Sequence, residues 1–253
     1  MTSGSPQPDL AIFDCNASLG RRHNERVPYH SKEDLLRVMS EAGIARALVC
    51  SPYAAAFSTM EGNQFLLDEI GDEQNLIPQF VVSFAVDAID KVQEHTRRAG
   101  VRTLRVFPTT HAYPFVAWIA DPWLEWMAAE RMVLWVPLGW SPEVDIRDLY
   151  QTARRHPKVP IVLAGTHYSN YSVLLPLLKA LDHLYVDLSR FDIPDGVRRL
   201  IRHIGVERLL FGSSFPDVDP KPYLYYLRHC GLDDSELSAI CYHNLERLLS
   251  GGA

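Results

Sequence analysis

The chain places polar residues at alternating positions where its first apolar run ends. Residues 11–20 read AIFDCNASLG, so Asp14, Asn16 and Ser18 follow the two-residue period of a strand. Side chains on this period share one face, where a carboxylate, an amide and a hydroxyl could hold a substrate by hydrogen bonds. Amides and hydroxyls are poor ligands for a divalent transition metal, so the set favours polar binding over metal chemistry.

A second candidate is an arginine inside an apolar run. Arg105 lies within TLRVF, residues 103–107, where a guanidinium must find a counter-charge or a substrate anion. Two interpretations stay open: Arg105 binds an anionic substrate, or it pairs with Asp14 or Asp187 as a buried structural link. Arg190, which follows a later apolar run, is a further candidate for binding an anion.

Histidine supplies the candidates for proton transfer. His167 follows Gly165 and Thr166 at the end of an apolar run, where an imidazole could act as general acid or base near neutral pH. The alternative is a loop histidine that caps a backbone group. His111 lies in an aromatic-rich loop, THAYPF, which could cover an apolar substrate or pack its own aromatic rings together.

Eight short apolar runs alternate with longer amphipathic stretches and must position these residues. The predicted strands are Ala11–Phe13, Ala45–Cys50, Leu76–Phe84, Thr103–Phe107, Val133–Leu138, Ile161–Ala164, Leu184–Leu188 and Leu209–Phe211. Continuous apolar runs are typical of parallel strands covered on both faces. Eight strand–helix units in 253 residues predict an α/β fold, a closed (β/α)8 TIM barrel forming one domain over residues 11–250.

Helix ends are predicted from capping residues and glycines. Ser31 is expected to begin a helix that Gly43 ends. Asp121 and Ser141 are expected to cap two later helices, over 122–130 and 142–156, because each precedes a proline that suits the first helical position.

The eighth run ends in a motif shared with a known family. Residues 207–216, ERLLFGSSFP, resemble the pattern Arg-hydrophobe-hydrophobe-Phe-Gly-Ser-Asp-aromatic-Pro of the amidohydrolase-related (amidohydrolase family 2) TIM-barrel metal-dependent hydrolases. Ser214 stands where that family has an aspartate that binds metal or activates water. The ending of the chain, with Asn244 and Arg247 before two leucines, is also similar to the family's.

The resemblance extends to the first run, but the metal ligands are replaced. The family's first strand ends Asp-x-His-x-His-hydrophobe-Gly, and here Asn16 and Ser18 stand at the histidine positions. The family's histidines of strands five and six correspond to Pro137 and Gly165. Because a catalytic zinc takes three protein ligands, the resemblance implies a divergent member with no metal and no other cofactor.

The function implied is metal-independent hydrolysis of a small anionic lactone, ester or amide. His167, Asp14 and Asp187 are the predicted catalytic residues, with a purely structural role as the alternative for the two aspartates. The residues predicted to bind substrate are Asn16, Ser18, Arg105, His111, Tyr113, Trp140, Tyr168, Arg190 and Ser214. Two alternatives stay open: non-oxidative decarboxylation of an aromatic or muconate-type acid, and a noncatalytic barrel that binds a ligand or a protein.

Composition limits the partners and the compartment. The net charge is −6 and no long basic run occurs, which argues against a nucleic-acid partner. No window approaches the roughly 18 apolar residues of a membrane span, and residues 1–10, expected to be a disordered tail, lack the features of a signal peptide. The four cysteines, none in a CxxC pair, predict reduced thiols in a cytoplasmic protein. We expect a homodimer with a small-molecule substrate.

Overall fold

The computed structural model describes residues 10–22, 31–140 and 142–251. The strands are β1 (Phe13–Ser18), β2 (Arg46–Cys50), β3 (Leu76–Pro78), β4 (Phe80–Val82), β5 (Thr103–Val106), β6 (Val133–Pro137), β7 (Ile161–Ala164), β8 (Leu184–Asp187) and β9 (Leu209–Leu210). They pair in parallel, in the order β1-β2-β3 and β4-β5-β6-β7-β8-β9. The order follows the chain, as expected when each strand is followed by a covering helix.

Two sets of backbone hydrogen bonds close the barrel. Strands β3 and β4 continue one another across Gln79, whose N–H donates to the carbonyl of Val49 at 2.8 Å. On the other side, the N–H of Cys15 donates to the carbonyl of Phe211 at 2.9 Å, which joins β1 to the end of β9. The chain therefore forms the predicted TIM barrel, with β3 and β4 as one barrel strand.

Helices cover the outside of the barrel. The longer ones are α1 (Lys32–Ala42), α3 (Thr59–Ile70), α4 (Ile89–Ala99), α5 (Ala117–Ala129), α6 (Ile146–Ala153), α7 (Tyr171–Ala180), α8 (Gly196–Ile204) and α9 (Pro220–His229). The shorter ones are α2 (Pro52–Ala56), α10 (Asp234–Ser238) and α11 (Asn244–Leu249), with a 3₁₀ turn at Tyr168–Asn170 and a π-helical turn at Ala239–His243. None of the described helices is long and apolar enough to cross a bilayer.

The core forms two layers because strand side chains alternate. In β6, Leu134 and Val136 point outward into the layer shared with the helices, whereas Val133 and Trp135 fill the barrel. This alternation, repeated around the barrel, is why the strands read as continuous apolar runs.

The predicted ends of the first helix are confirmed. The hydroxyl of Ser31 accepts the N–H of Asp34, and Gly43 ends the helix at a φ of 72°. This positive φ is one that glycine adopts without a steric penalty from a Cβ.

The predicted start of α5 is wrong. This helix begins five residues earlier than Pro122, at Ala117, and Pro122 lies inside it. Asp121 does not cap it; its carboxylate instead accepts from Arg155 at 2.6 Å and lies 2.7 Å from His156. The Asp-Pro pair is typical of a helix start, but here the burial of the preceding turn, with Ala120 fully buried, extends the helix backwards.

The predicted helix over 142–156 is shorter than expected. It spans Ile146–Ala153, and Asp145 caps it by accepting the N–H groups of Arg147 and Asp148. The cap predicted at Ser141 lies outside the described residues, as does the predicted tail apart from Leu10. The described cysteines are all free thiols.

Candidate functional site

The carboxyl ends of the barrel strands surround a cavity of about 600 Å³. A TIM barrel carries its active site on this face, because the loops that follow the strands meet there. The residues predicted from the sequence that line this cavity are Asn16, Ser18, Arg105, Trp140, His167, Arg190 and Ser214. A cavity of this size suits a small molecule.

The floor of the cavity is built around the amide of Asn16. Its Nδ2 donates to Oδ2 of Asp187 at 2.7 Å, and its Oδ1 accepts from Nη1 of Arg105 at 2.9 Å. The partners fix which way the amide points, because an ionised carboxylate only accepts and a guanidinium only donates. Asn16 therefore links a buried carboxylate to a guanidinium through a neutral group.

Asp187 lies beneath this amide and is fully buried. Its Oδ2 also accepts the N–H of Gly165 at 2.6 Å and the hydroxyl of Ser189 at 3.1 Å, while Oδ1 accepts the N–H of Ser189 at 2.9 Å. Burial raises the pKa of Asp187, while these hydrogen bonds and the charge of Arg105 act in the opposite direction. Asp187 is not part of the cavity wall, so its neighbours must transmit any effect on a bound molecule.

Asp14 joins two strand ends behind the cavity wall. Its Oδ1 accepts the N–H of Asn16 and the N–H of Ser213, both at 2.9 Å. Burial raises the pKa of Asp14 from 3.8 to about 6. It does not line the cavity, and its catalytic role stays a prediction.

Arg105 brings a positive charge to the buried wall of the cavity. The residue is 7% exposed, its Nη1 also lies 3.6 Å from Sγ of Cys50, and its Nε has no partner within the described ranges. Among the described residues, no carboxylate forms an ion pair with it. The direct pairing with Asp14 or Asp187 that the sequence left open is not formed, and the link to Asp187 runs through Asn16.

His167 brings an imidazole to the cavity wall. Its Nδ1 accepts the N–H of Ser169 at 3.2 Å and lies 2.7 Å from the Ser169 hydroxyl. The neutral ring therefore carries its proton on Nε2. The ring contacts Trp140 edge-on, with centroids 4.9 Å apart, and Tyr168 at 4.1 Å. These contacts hold the ring and leave Nε2 available as a donor.

Two residues of the predicted loop lie away from the cavity. Nε2 of His111 lies 2.9 Å from the carbonyl oxygen of Ala55. The hydroxyl of Tyr113 accepts the N–H of Phe84 at 3.4 Å, and burial raises the pKa of Tyr113 well above its usual value. Neither residue lines this cavity, and the ring of His111 instead contacts Phe107, with centroids 6.2 Å apart.

A second cavity of about 550 Å³ lies beside the first. His167 and Arg190 line both cavities and form part of the wall between them, whereas Tyr168 and Ser189 face the second. Arg190 has no acceptor within hydrogen-bond distance in the described ranges, so its guanidinium is available to a ligand.

Charged residues at the rim were missed by the sequence analysis. Arg22 and Glu143 line the cavity; Arg22 pairs with Asp217, with Nη2 and Oδ2 2.8 Å apart, and Glu143 accepts the N–H of Thr110 at 2.8 Å. Their positions in the sequence could have identified them, because each follows the end of a barrel strand within a few residues.

The residues at the family's ligand positions do not fit a catalytic metal. The resemblance places ligands at Asn16, Ser18, Pro137, Gly165 and Ser214. The hydroxyl of Ser18 donates to the carbonyl of Phe215 at 3.2 Å, that of Ser214 donates to Ser189 at 2.8 Å, and the amide of Asn16 is occupied as described. Within the ranges that the structure describes, no three His, Cys, Asp or Glu side chains form a group able to hold a metal ion.

Comparison with known proteins finds one family and several solved structures. The family model described as amidohydrolase matches residues 21–250. An uncharacterized TIM-barrel protein from Bordetella bronchiseptica is 15% identical, with 96% of this chain and 100% of that chain covered and a TM-score of 0.75. A 2,6-dihydroxybenzoate decarboxylase from Rhizobium is 11% identical, with coverages of 96% and 99% and a TM-score of 0.76.

A third solved structure is a candidate 2-pyrone-4,6-dicarboxylic acid hydrolase from Pseudomonas putida. It is 16% identical, with 96% of this chain and 99% of that chain covered and a TM-score of 0.72. At these identities the structural likeness shows the fold alone. A comparison with curated proteins finds no match.

Proposed function

Because this chain belongs to the amidohydrolase family, we propose that it hydrolyses a small anionic lactone, ester or amide without a metal ion. It is a divergent member in which the usual ligand positions hold other residues. The observation that carries the proposal is the buried guanidinium of Arg105 in the wall of an open cavity.

Arg105 supports an anionic substrate because, among the described residues, no carboxylate contacts its guanidinium directly, and Asp187 is reached only through the amide of Asn16. The acceptor of Arg105 is the neutral amide of Asn16, and its Nε has no partner in the part of the chain that the structure describes. A buried charge is costly unless it is paired, so an anion bound beside it recovers part of that cost. Arg190, which lines the same cavity, offers a second guanidinium to the same ligand.

The other residues of the wall suit a partly aromatic substrate. Phe107 and Trp140 line the cavity beside the arginines, and the hydroxyls of Ser18 and Ser214 offer hydrogen bonds. Two of the structural neighbours carry the names of aromatic or pyrone acids, which agrees with a planar acid as ligand.

We assign proton transfer at the leaving group to His167. As a general acid the ring is protonated: Nδ1–H then donates to the hydroxyl of Ser169, 2.7 Å away, and Nε2 presents the proton that is transferred. A leaving oxygen or nitrogen that takes up this proton departs as a neutral group, which is the usual contribution of a general acid.

Decarboxylation and noncatalytic binding are the competing functions. The cavity is open rather than filled by apolar side chains, which supports binding of a molecule in either case. No side-chain hydrogen bond joins His167 to a carboxylate or an arginine among the described residues. Turnover, rather than further geometry, therefore separates the three functions.

The test is a screen of chelator-treated protein, with metal content measured by elemental analysis. Carboxylate-bearing lactones, aryl esters and anilides report hydrolysis, and release of carbon dioxide from aromatic acids reports decarboxylation. We expect hydrolysis that neither chelation nor added zinc or manganese changes. Carbon dioxide release, activity that requires about one equivalent of metal, or ligand binding without turnover would each contradict the proposal.

Variants of the two assigned residues sharpen the test. Arg105→Met is expected to raise KM about 10- to 100-fold, because a charge-assisted hydrogen bond to the substrate anion is lost. Arg102→Met is the matched control, since Arg102 precedes the same strand at its opposite end. His167→Gln is expected to lower kcat about 100-fold with little change in KM.

A further inference from the structure

A chain of hydrogen bonds joins the buried Asp187 to the cavity. The hydroxyl oxygens of Ser214 and Ser189 lie 2.8 Å apart, and that of Ser189 lies 3.1 Å from Oδ2 of Asp187. Ser214 lines the cavity, whereas Asp187 does not. The two serines therefore form a continuous path from a bound molecule to a carboxylate that it cannot touch.

The ionised carboxylate fixes the direction of both hydroxyls. Asp187 can only accept, so Ser189 must donate to it and must then accept from Ser214. Nδ2 of Asn16 also approaches the oxygens of Ser189 at 3.4 Å and Ser214 at 3.2 Å. Among the described residues, the oxygen of Ser214 thus keeps one lone pair free, and Ser214 is the member of the path that lines the first cavity.

The backbone at Ser214 is held in an uncommon conformation. Its φ is 54°, a left-handed value that few residues other than glycine adopt. Such a conformation persists only where surrounding contacts impose it, and it recurs at functional sites. Here it accompanies a hydroxyl that faces the cavity and is hydrogen-bonded on its other side.

We propose that Ser214 and Ser189 form a proton relay through which Asp187 acts as general base on a water molecule in the cavity. This inference rests on the proposed hydrolysis. The water oxygen bonds to the acyl carbon as one of its protons passes to Ser214. The proton of Ser214 passes to Ser189, and that of Ser189 passes to Oδ2 of Asp187.

His167 supplies the proton that the leaving group needs. The carbonyl electron pair moves to oxygen and returns as the bond to the leaving group breaks, and the leaving group takes a proton from protonated His167. The proton on Asp187 then leaves by the same relay, and His167 takes up another from solvent. Each cycle consumes one water and leaves the protein unchanged.

Ser189 is the residue at which a relay and a substrate contact can be told apart. It does not line the first cavity, so its removal deletes the relay without deleting a contact there. We expect Ser189→Ala to lower kcat about 100-fold with KM unchanged, a typical loss for general-base catalysis. Ser189→Thr keeps a hydroxyl and is expected to restore at least about a third of the rate. Ser172→Ala, on an exposed helix surface, is the control.

The pH profile provides a readout that a structural role of Ser189 would not change. Asp187 is a base only when ionised, so kcat is expected to rise with pH through the raised pKa of Asp187. This rise, the acid limb of the pH profile, is expected to vanish in Ser189→Ala. A variant with the wild-type rate and the wild-type limb would overturn the relay while leaving the proposed hydrolysis in place.

If no substrate turns over, the proposed hydrolysis fails. An infrared titration still tests the relay in that case, because it needs no substrate. The carboxyl band of Asp187 reports its titration directly. The band is assigned by its absence from the spectrum of Asp187→Asn or by comparison with the spectrum of Asp14→Asn. We expect Ser214→Ala to raise the pKa of Asp187 although Ser214 does not touch it, because Ser189 then donates more weakly. An Asp187 titration that is identical in wild type, Ser214→Ala and Ser172→Ala would overturn the relay.

Discussion

Gly212 lies against the buried carboxylate of Asp187. A Cβ at this position would come within 2.1 Å of Oδ1 of Asp187 and 3.0 Å of Cβ of Asn16. Asp187 is held by several hydrogen bonds and cannot move aside. We therefore expect Gly212→Ala to lower the free energy of unfolding by about 1–3 kcal/mol or more, as overpacking of a buried site does.

Urea denaturation checks this value against a matched glycine. Gly139→Ala is the control, because a Cβ there would meet its nearest atom, the carbonyl oxygen of Gly165, at an ordinary 3.5 Å. If both variants unfold at the same urea concentration, the expected clash between a Cβ at position 212 and Asp187 is contradicted.

Single residues of the site could be predicted where strand period and residue type agree. The alternation of Asn16 with its neighbours placed it at the strand end, and the arginine inside an apolar run marked Arg105. The neutral bridge between Arg105 and Asp187 could not be predicted, because it depends on the relative positions of three distant strands. Ser189 was missed because its link to the cavity runs through Ser214, 25 residues further along the chain.

At the scale of elements, a buried amide helps to attach the last helix to the barrel. Nδ2 of Asn244 donates to the carbonyls of Val206 and Leu209 at 2.8 and 2.9 Å, just before and within β9. Arg247 adds a hydrogen bond to the carbonyl of Glu207 at 2.7 Å. The asparagine and arginine of the family-like ending are thus structural, and they fix the strand that leads to Ser214.

We expect Asn244→Ala to destabilise the protein by about 1–3 kcal/mol, because it leaves buried carbonyls without a donor. His243→Ala is the adjacent control, since the side chain of His243 is 64% exposed. The measurement is the free energy of unfolding in denaturant. A cost no greater than that of the control would mean that water replaces the amide at this joint.

The elements themselves were predicted better than their ends. Apolar runs identify barrel strands because both faces of these strands are buried. The predicted start of a helix was wrong where the expected capping residue has other partners. Asp121 is the example, because its carboxylate pairs with Arg155 and His156. A capping pattern is local, whereas the competing ion pair is tertiary and cannot be read from neighbouring residues.

For the whole molecule, the buried carboxylates make stability depend on pH. The pKa of Asp14 is raised from 3.8 to about 6, so the folded state binds its proton more tightly than the unfolded state does. Its stabilising contribution is complete below the unfolded pKa and is lost as pH rises through about 6. The full loss is about 3 kcal/mol for a shift of this size.

We therefore expect the stability of wild type relative to Asp14→Asn to fall between pH 4 and pH 7, because the variant carries no titrating group at this site. Asp121→Asn is the control of opposite sign. Burial would raise the pKa of Asp121, but its bonds to His156 and Arg155 lower it, so wild type gains stability relative to that variant as pH rises through the acid range. Denaturant unfolding at several pH values measures both. A constant difference for Asp14→Asn would contradict the raised pKa.

The amide bridge at Asn16 has a consequence for how this barrel could change by mutation. A histidine introduced at position 16 that gave its lone pair to a metal ion could no longer accept from Arg105. The ion would also face a guanidinium at close range, with like charges in a buried wall. The arginine and a metal are therefore alternative sources of positive charge at this site. We expect no single substitution to restore a metal centre, and the evolutionary route back to one to begin with the loss of Arg105.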